Sequence, residues 1–115
     1  MRVLILGSEG FVGQNLVEGL KKSHQVFTAD QFANGSEKNY TQFNITNFDS
    51  VEKTIKNVDV VINLVAHTLT SSLNEVINNA KVNIIGLLNV LEACRLNNIK
   101  KIIFTSASSI IGEPT

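Results

Sequence analysis

The chain has 115 residues, of which 43% are apolar, and its ten basic side chains balance ten acidic ones. This length supports one domain with a buried core, and the balanced charge argues against a surface for nucleic acid or anionic membranes. The single cysteine, Cys94, rules out an internal disulfide framework or a cysteine metal cluster, and we expect it in the core. With no apolar run suited to a signal peptide or a membrane span, a cytoplasmic protein with small-molecule partners is expected.

Strand and helix patterns alternate along the chain. In chain order, the sequence predicts a strand over 3–6, a helix over about 11–22, strands over 25–29 and 41–43, a helix over 49–57, a strand over 58–65, a helix over about 73–97 and a strand over 101–105. In the first helix, the apolar face is expected to comprise Val12, Leu16 and Leu20. Right-handed crossovers between these strands predict an α/β fold of Rossmann type. Its doubly wound parallel sheet would have the order 3-2-1-4-5, with ligand at the carboxyl ends of strands one and four.

Three glycines follow the first predicted strand, at Gly7, Gly10 and Gly13. They would allow a sharp turn, a close approach of the backbone to a pyrophosphate and tight packing of the next helix. Asp30 stands at the end of the second strand, where a carboxylate can accept hydrogen bonds from ribose hydroxyls. Taken alone, three glycines are as typical of a flexible turn as of a nucleotide site. An isolated aspartate is more often a turn former or a helix cap than a ribose ligand. The order strand, glycine turn, helix, strand and acid favours a dinucleotide site.

Several motifs in order make the chain similar to a known family. They are residues 7–13, Asp30, residues 44–46, residues 58–66, residues 83–86 with 91–93, and residues 105–114. On these motifs the chain resembles the amino-terminal part of an extended short-chain dehydrogenase/reductase, in the NAD-dependent epimerase/dehydratase family. The resemblance implies NAD as cofactor, a nucleotide-sugar substrate in a longer parent protein and a homo-oligomer that uses the long helix.

The resemblance also implies a set of cofactor-binding residues and no metal ligand. These residues are Gly7, Gly10, Phe11, Val12, Gly13, Asp30, Gln31, Asn44, Ile45, Leu64, Val65, Ala66 and Asn83. Asn44 replaces the family's usual aspartate beside the adenine amino group, and its amide oxygen is expected to accept the same hydrogen bond. For residues 64–66 the alternative is an ordinary strand end, and for Asn83 a solvent-facing side chain.

The catalytic motif of the family is incomplete in this sequence. Ala107 and Ile111 stand where the family has a hydroxyl residue and a tyrosine, and Ser106 and Ser108 are only weak catalytic candidates. The family's Tyr-x-x-x-Lys is also missing, since the single tyrosine, Tyr40, is followed four residues later by an asparagine. We therefore expect residues 1–115 to form one NAD-binding domain of a nucleotide-sugar epimerase/dehydratase-like oxidoreductase, inactive alone. The alternative is a non-catalytic NAD(H)-binding regulatory module.

Overall fold

The computed structural model describes residues 1–33, 38–66 and 76–105, which form a five-stranded parallel sheet flanked by helices. The strands are β1 (Arg2–Leu6), β2 (Gln25–Asp30), β3 (Tyr40–Gln42), β4 (Val60–Asn63) and β5 (Lys101–Phe104). The helices are α1 (Phe11–Leu20), α2 (Phe48–Thr54), α3 (Val76–Ala80) and α4 (Gly86–Leu96), with a π-helical turn over Lys81–Ile85 between α3 and α4. The strand order is β3-β2-β1-β4-β5, which confirms the predicted fold class and topology.

The central strands β1 and β4 are covered on both faces. Because side chains alternate along a strand, Leu4 and Leu6 pack on the face with α2 and α4, whereas Val3 and Ile5 pack on the face with α1. This two-sided burial explains why the sequences of both strands are almost continuously apolar. It also holds the carboxyl ends of β1 and β4 side by side, where the glycine turn begins.

The strand β4 is shorter than the predicted strand over 58–65. The Leu64 N–H still donates to the carbonyl of Leu6 at 2.9 Å, but the side chain of Asn63 then accepts from the Val65 N–H at 3.1 Å. This local hydrogen bond replaces the next rung of the ladder and turns the chain out of the sheet. Asn63 is buried, and that bond supplies its side-chain oxygen with a hydrogen-bond donor.

The helix α1 ends two residues before the predicted boundary, and one part of its predicted apolar face is wrong. Val12 lies in the first turn and is 57% exposed, whereas Val17 joins Leu16 and Leu20 against the sheet. The apolar face therefore begins one turn later than periodicity alone suggested.

The helix predicted over 73–97 is not continuous, and its first residues lie outside the described part of the chain. The π-helical turn interrupts it, and α4 starts at Gly86. A Cβ atom at Gly86 would lie 3.1 Å from two side-chain carbons of Ile45, so glycine allows α4 to approach the loop after β3. A π-helical turn is often found beside a functional site.

The carboxyl end of α4 is defined by a left-handed residue. Asn98 has a φ of 55°, and the N–H of Ile99 donates to the carbonyl of Cys94 at 2.9 Å. This is the hydrogen-bond pattern of a helix terminator with asparagine in place of glycine. Cys94 itself is buried in the core, as predicted, and burial raises the pKa of its thiol from 9.0 to about 11.

Candidate nucleotide-binding site

The glycine turn after β1 has a conformation that side chains would obstruct. Gly7 has a φ of 86°, and a Cβ atom there would lie 3.1 Å from the backbone of Leu64 and Val65. At Gly13 a Cβ atom would lie 2.5 Å from the carbonyl oxygen of Gly7 and 2.7 Å from the Cα of Ser8. The first glycine therefore makes the turn, and the third lets α1 lie directly against it.

Gly10 differs because it has room for a side chain. A Cβ atom there would meet only the carbonyl oxygen of Gly7, at 3.6 Å. Gly10 is the residue before α1, in an extended conformation, and has no side chain with which to cap the helix. The N–H groups of the first turn and the positive end of the helix dipole therefore remain available to an anion. The side chains of Phe11 and Val12 in this turn are both exposed.

The end of β2 at Asp30 is joined to the glycine turn by hydrogen bonds from backbone N–H groups of the turn. Its Oδ2 accepts from the Glu9 N–H at 2.9 Å, and its Oδ1 accepts from the Gln31 N–H at 2.7 Å. The neighbouring Gly7 N–H donates to the carbonyl of Ala29 at 2.8 Å. Each carboxylate oxygen keeps acceptor capacity beyond one such bond, so Asp30 can also receive two ribose hydroxyls.

A cavity of about 350 Å³ opens beside Asp30. It is lined by Asp30, Gln31, Phe43, Asn44, Ile45, Thr46, Val65, Ala66, Asn78 and Val82. Six of these are cofactor-binding residues that the sequence predicts, and they come from the ends of β2 and β4 and from the loop after β3. The structure therefore brings three separate predicted motifs to one place.

Four lining residues were missed from the sequence: Phe43, Thr46, Asn78 and Val82. Phe43 and Thr46 flank the predicted pair 44–45, so their position next to that pair in the sequence could have indicated that they line the cavity. Asn78 and Val82 belong to α3 and to the π-helical turn, which pass over the cavity. No local pattern in the sequence indicates that passage.

The loop after β3 is held by side chains on two sides. The Asn89 side chain on α4 donates to the carbonyl of Ile45 at 2.9 Å, and the Asn44 N–H donates to the Ser50 hydroxyl at 2.9 Å. The Oδ1 of Asn44 accepts from the backbone N–H of Thr46 at 3.0 Å and from the Thr46 hydroxyl at 2.7 Å. The amide oxygen that was expected to accept from adenine is thus already engaged within the loop.

Other predicted residues lie apart from the cavity lining. The glycine turn adjoins the lining through the bond from Glu9 to Asp30 and through the close approach of Gly7 to Val65. Leu64 packs with the core cluster on the α1 face, and Asn83 lies half-buried in the π-helical turn. Tyr40 lies in β3, where its hydroxyl donates to the carbonyl of Phe32.

The weak catalytic candidates cannot be placed in this site. Ser106 and Ser108, together with Ala107 and Ile111, lie outside the described residues. Within the described ranges, no group of three or more His, Cys, Asp or Glu side chains could hold a metal ion. None of the helices in these ranges has the length and apolar character of a membrane span.

A parallel sheet in this order, a glycine turn into α1 and an acid at the end of β2 together define a dinucleotide-binding domain of Rossmann type. Residues 3–115 match the NAD dependent epimerase/dehydratase family, and the chain belongs to that family. This confirms the predicted family and the predicted cofactor, NAD.

Relatives of this chain include enzymes named for UDP sugars. A putative UDP-glucose 4-epimerase of Methanocaldococcus jannaschii is 30% identical over 122 residues, covering 97% of this chain and 40% of the relative. UDP-glucuronic acid decarboxylase 5 of Arabidopsis thaliana is 32% identical over 124 residues, covering 99% of this chain and 36% of the relative. The chain thus spans about two fifths of the length of these relatives.

Solved structures share the same fold. The Thermus thermophilus UDP-glucose 4-epimerase in complex with NAD superposes with a TM-score of 0.82 at 29% identity, over 93% of this chain and 38% of that one. MoeE5, in complex with UDP-glucose and NAD, gives a TM-score of 0.88 at 22% identity, over 99% of this chain and 39% of that one. The second likeness supports the fold alone.

Proposed function

We propose that residues 1–115 form the NAD-binding domain of a nucleotide-sugar epimerase/dehydratase-like oxidoreductase. The observation that carries this proposal is the bond between the glycine turn and Asp30, because it joins a phosphate site to a ribose site. The family's activity would be hydride transfer between a sugar hydroxyl carbon and NAD. The names of the UDP-sugar relatives support the substrate class.

The described residues suggest how the dinucleotide would be held. The pyrophosphate would lie at the amino-terminal turn of α1, against Gly10 and the N–H groups of Phe11 and Val12. The adenosine ribose would bind Asp30 and Gln31, and its base would enter the cavity lined by Ile45 and Val65. The cavity volume of about 350 Å³ suits one base and its sugar, not a whole dinucleotide.

We also propose that these 115 residues bind NAD without turnover. When NAD accepts a hydride from a hydroxyl carbon, a protein base has to take the hydroxyl proton. Tyr40, the only tyrosine in the sequence, sits in β3 with its hydroxyl bonded to the carbonyl of Phe32. A second candidate function is a non-catalytic NAD(H)-binding regulator, which would accept alanine at 107 and isoleucine at 111. Both functions are proposed for the cytoplasm.

Titration of the chain with NAD and NADP tests the binding site. NAD should bind more tightly by tenfold or more, roughly, because Asp30 repels a 2′-phosphate and the described residues that line the cavity include no cationic side chain. Gly10→Val should abolish NAD binding while the chain stays folded, since a Cβ atom there meets only one protein atom within 4 Å. Equal affinity for NADP, or unchanged NAD affinity in Gly10→Val, would contradict the assignment.

Incubation with NAD and a panel of UDP- and dTDP-sugars tests the second part. NADH absorbance and sugar stereochemistry should both stay constant while NAD binding is retained. Turnover that disappears in Ser106→Ala or Ser108→Ala would show that the chain carries its own catalytic groups.

A further inference from the structure

The side-chain amide of Asn44 has a fixed orientation. Its partner at 3.0 Å is the backbone N–H of Thr46, which can only donate, so the amide atom facing Thr46 has to be the oxygen. The Thr46 hydroxyl donates to the same oxygen at 2.7 Å. Both lone pairs of Oδ1 are therefore used, and the Nδ2 group is the polar part of Asn44 left for a ligand.

The rest of the loop offers donors to a ligand as well. The carbonyl of Asn44 accepts from the Asn47 N–H at 3.1 Å, and the carbonyl of Ile45 accepts from Asn89. By contrast, across residues 1–33, 38–66 and 76–105 neither the Asn44 Nδ2 group nor the Ile45 N–H has a protein acceptor. At the wall of the cavity beside Asn44, the two donors are thus unused within these ranges, whereas each acceptor already accepts at least one hydrogen bond.

This pattern bears on which purine the cavity prefers. On the edge that contains N7, adenine carries an amino donor at position 6, whereas a 6-oxo purine such as hypoxanthine carries an acceptor oxygen there, next to the N7 acceptor. On the opposite edge the 6-oxo purine carries a donor at N1 where adenine carries an acceptor, so only the N7 edge of a 6-oxo purine suits a wall of donors. An aspartate at position 44 could only accept, and would favour the amino group. Asn44, held by Thr46, can only donate toward the base through Nδ2.

We propose that Asn44 is a specificity-determining residue that donates to the N7 edge of the bound purine, so that this chain binds a 6-oxo purine dinucleotide at least as tightly as NAD. The inference rests on the proposed function, because it requires the base of the dinucleotide to enter the cavity beside Asp30. The apolar walls, Phe43, Ile45, Val65 and Val82, leave the polar edge of the base to the loop after β3.

The test compares NAD with nicotinamide hypoxanthine dinucleotide by calorimetric titration of the 115-residue chain. The ratio of the hypoxanthine Kd to the NAD Kd should be one or less in the unaltered protein. Asn44→Asp should raise this ratio by about tenfold or more, because a carboxylate repels the 6-oxo group and accepts from the 6-amino group. Asn47→Asp is the matched control: it makes the same change at the residue that caps α2, outside the cavity lining, and should leave the ratio unchanged.

A second variant isolates the role of Thr46. Thr46→Val removes one of the two donors to the Asn44 oxygen, returns acceptor capacity to it, and should move the ratio toward NAD. If Asn44→Asp does not fold, as judged by circular dichroism, the Thr46→Val result decides. A lower Kd for NAD than for the hypoxanthine dinucleotide in the unaltered protein, or no change of ratio in the folded variants, overturns the inference alone. Failure of both dinucleotides to bind overturns the proposed function and this inference with it.

Discussion

Two regions of the molecule differ in where their apolar and polar groups lie. One is the edge of the sheet that carries the glycine turn, and the other is the outer face of α3 and α4. At the first, Asp30 and the glycine turn are joined by a hydrogen bond of 2.9 Å at the end of a strand that is almost fully buried. On the second, Ile84 is 58% exposed and Leu88 is 55% exposed. The described residues supply both the glycine turn and the acid of the first region, whereas the helical face presents apolar surface with nothing in those residues to cover it.

This difference shows that the two regions have different requirements. The nucleotide-binding edge depends on contacts between backbone groups close to one another, so single atoms decide whether it forms. The outer helical face instead resembles a surface that a partner would bury. We propose that the partner is a second copy of the chain, in line with the homo-oligomer that the sequence predicts.

The largest effect is expected at the glycine edge. Gly13→Ala should lower the free energy of unfolding by about 3 kcal/mol, because its Cβ would overlap backbone atoms that cannot move aside. Gly19→Ala, in the same helix with nothing within 4 Å of the added atom, is the matched control. It should raise stability by about 0.5–1 kcal/mol. Urea unfolding measures both, and equal effects would show that close packing at Gly13 is not what defines this edge.

An intermediate effect is expected at the outer helical face. The chain should self-associate, and Ile84→Glu combined with Leu88→Glu should make it monomeric, because charge would replace the exposed apolar contact. Leu96→Glu is a suitable control, since Leu96 is 51% exposed on the same helix but lies about a quarter of a turn round from Leu88. Light scattering over a range of concentrations gives the result. A monomer at every concentration without any substitution would remove the basis of the comparison.

The smallest effect is a pH dependence from Cys94 in the core shared by the two regions. At pH values below 9 the thiol is protonated in both the folded and the unfolded chain and contributes no difference. Between pH 9 and about 11 the unfolded chain loses the proton first, so stability should fall as the pH rises.

The control for this effect is Cys94→Ala, which removes the titrating group. Urea unfolding at pH 8 and pH 10 should show a smaller loss of stability in Cys94→Ala than in the unaltered chain. An identical loss in the two proteins would mean that the buried thiol does not contribute to the pH dependence.

Much of this fold is readable from local patterns. Residues 3–6 and 60–62 are apolar because their strands are covered on both faces, and the glycine spacing follows from one turn and one helix start. The strand order and the buried position of Cys94 could be predicted on that basis, and the family from the resemblance of several motifs in order.

The features that could not be predicted depend on contacts between distant segments. The π-helical turn accompanies the approach of Gly86 to Ile45, and the exposure of Val12 depends on where the first turn of α1 lies relative to the sheet. The orientation of the Asn44 amide depends on a hydrogen bond with Thr46, which residue type alone does not reveal. Spacing therefore identifies which residues meet at the site, but not which atoms they present.

The π-helical turn has a consequence for how binding events would influence one another. Within five residues it contributes Val82 to the wall of the cavity and Ile84 to the outer helical face. A base held against Val82 and a second chain held against Ile84 would therefore constrain the same segment of backbone. If either event shifts that segment, thermodynamic linkage requires each to alter the affinity of the other by the same factor. The cofactor affinity of this chain should then depend on its own concentration.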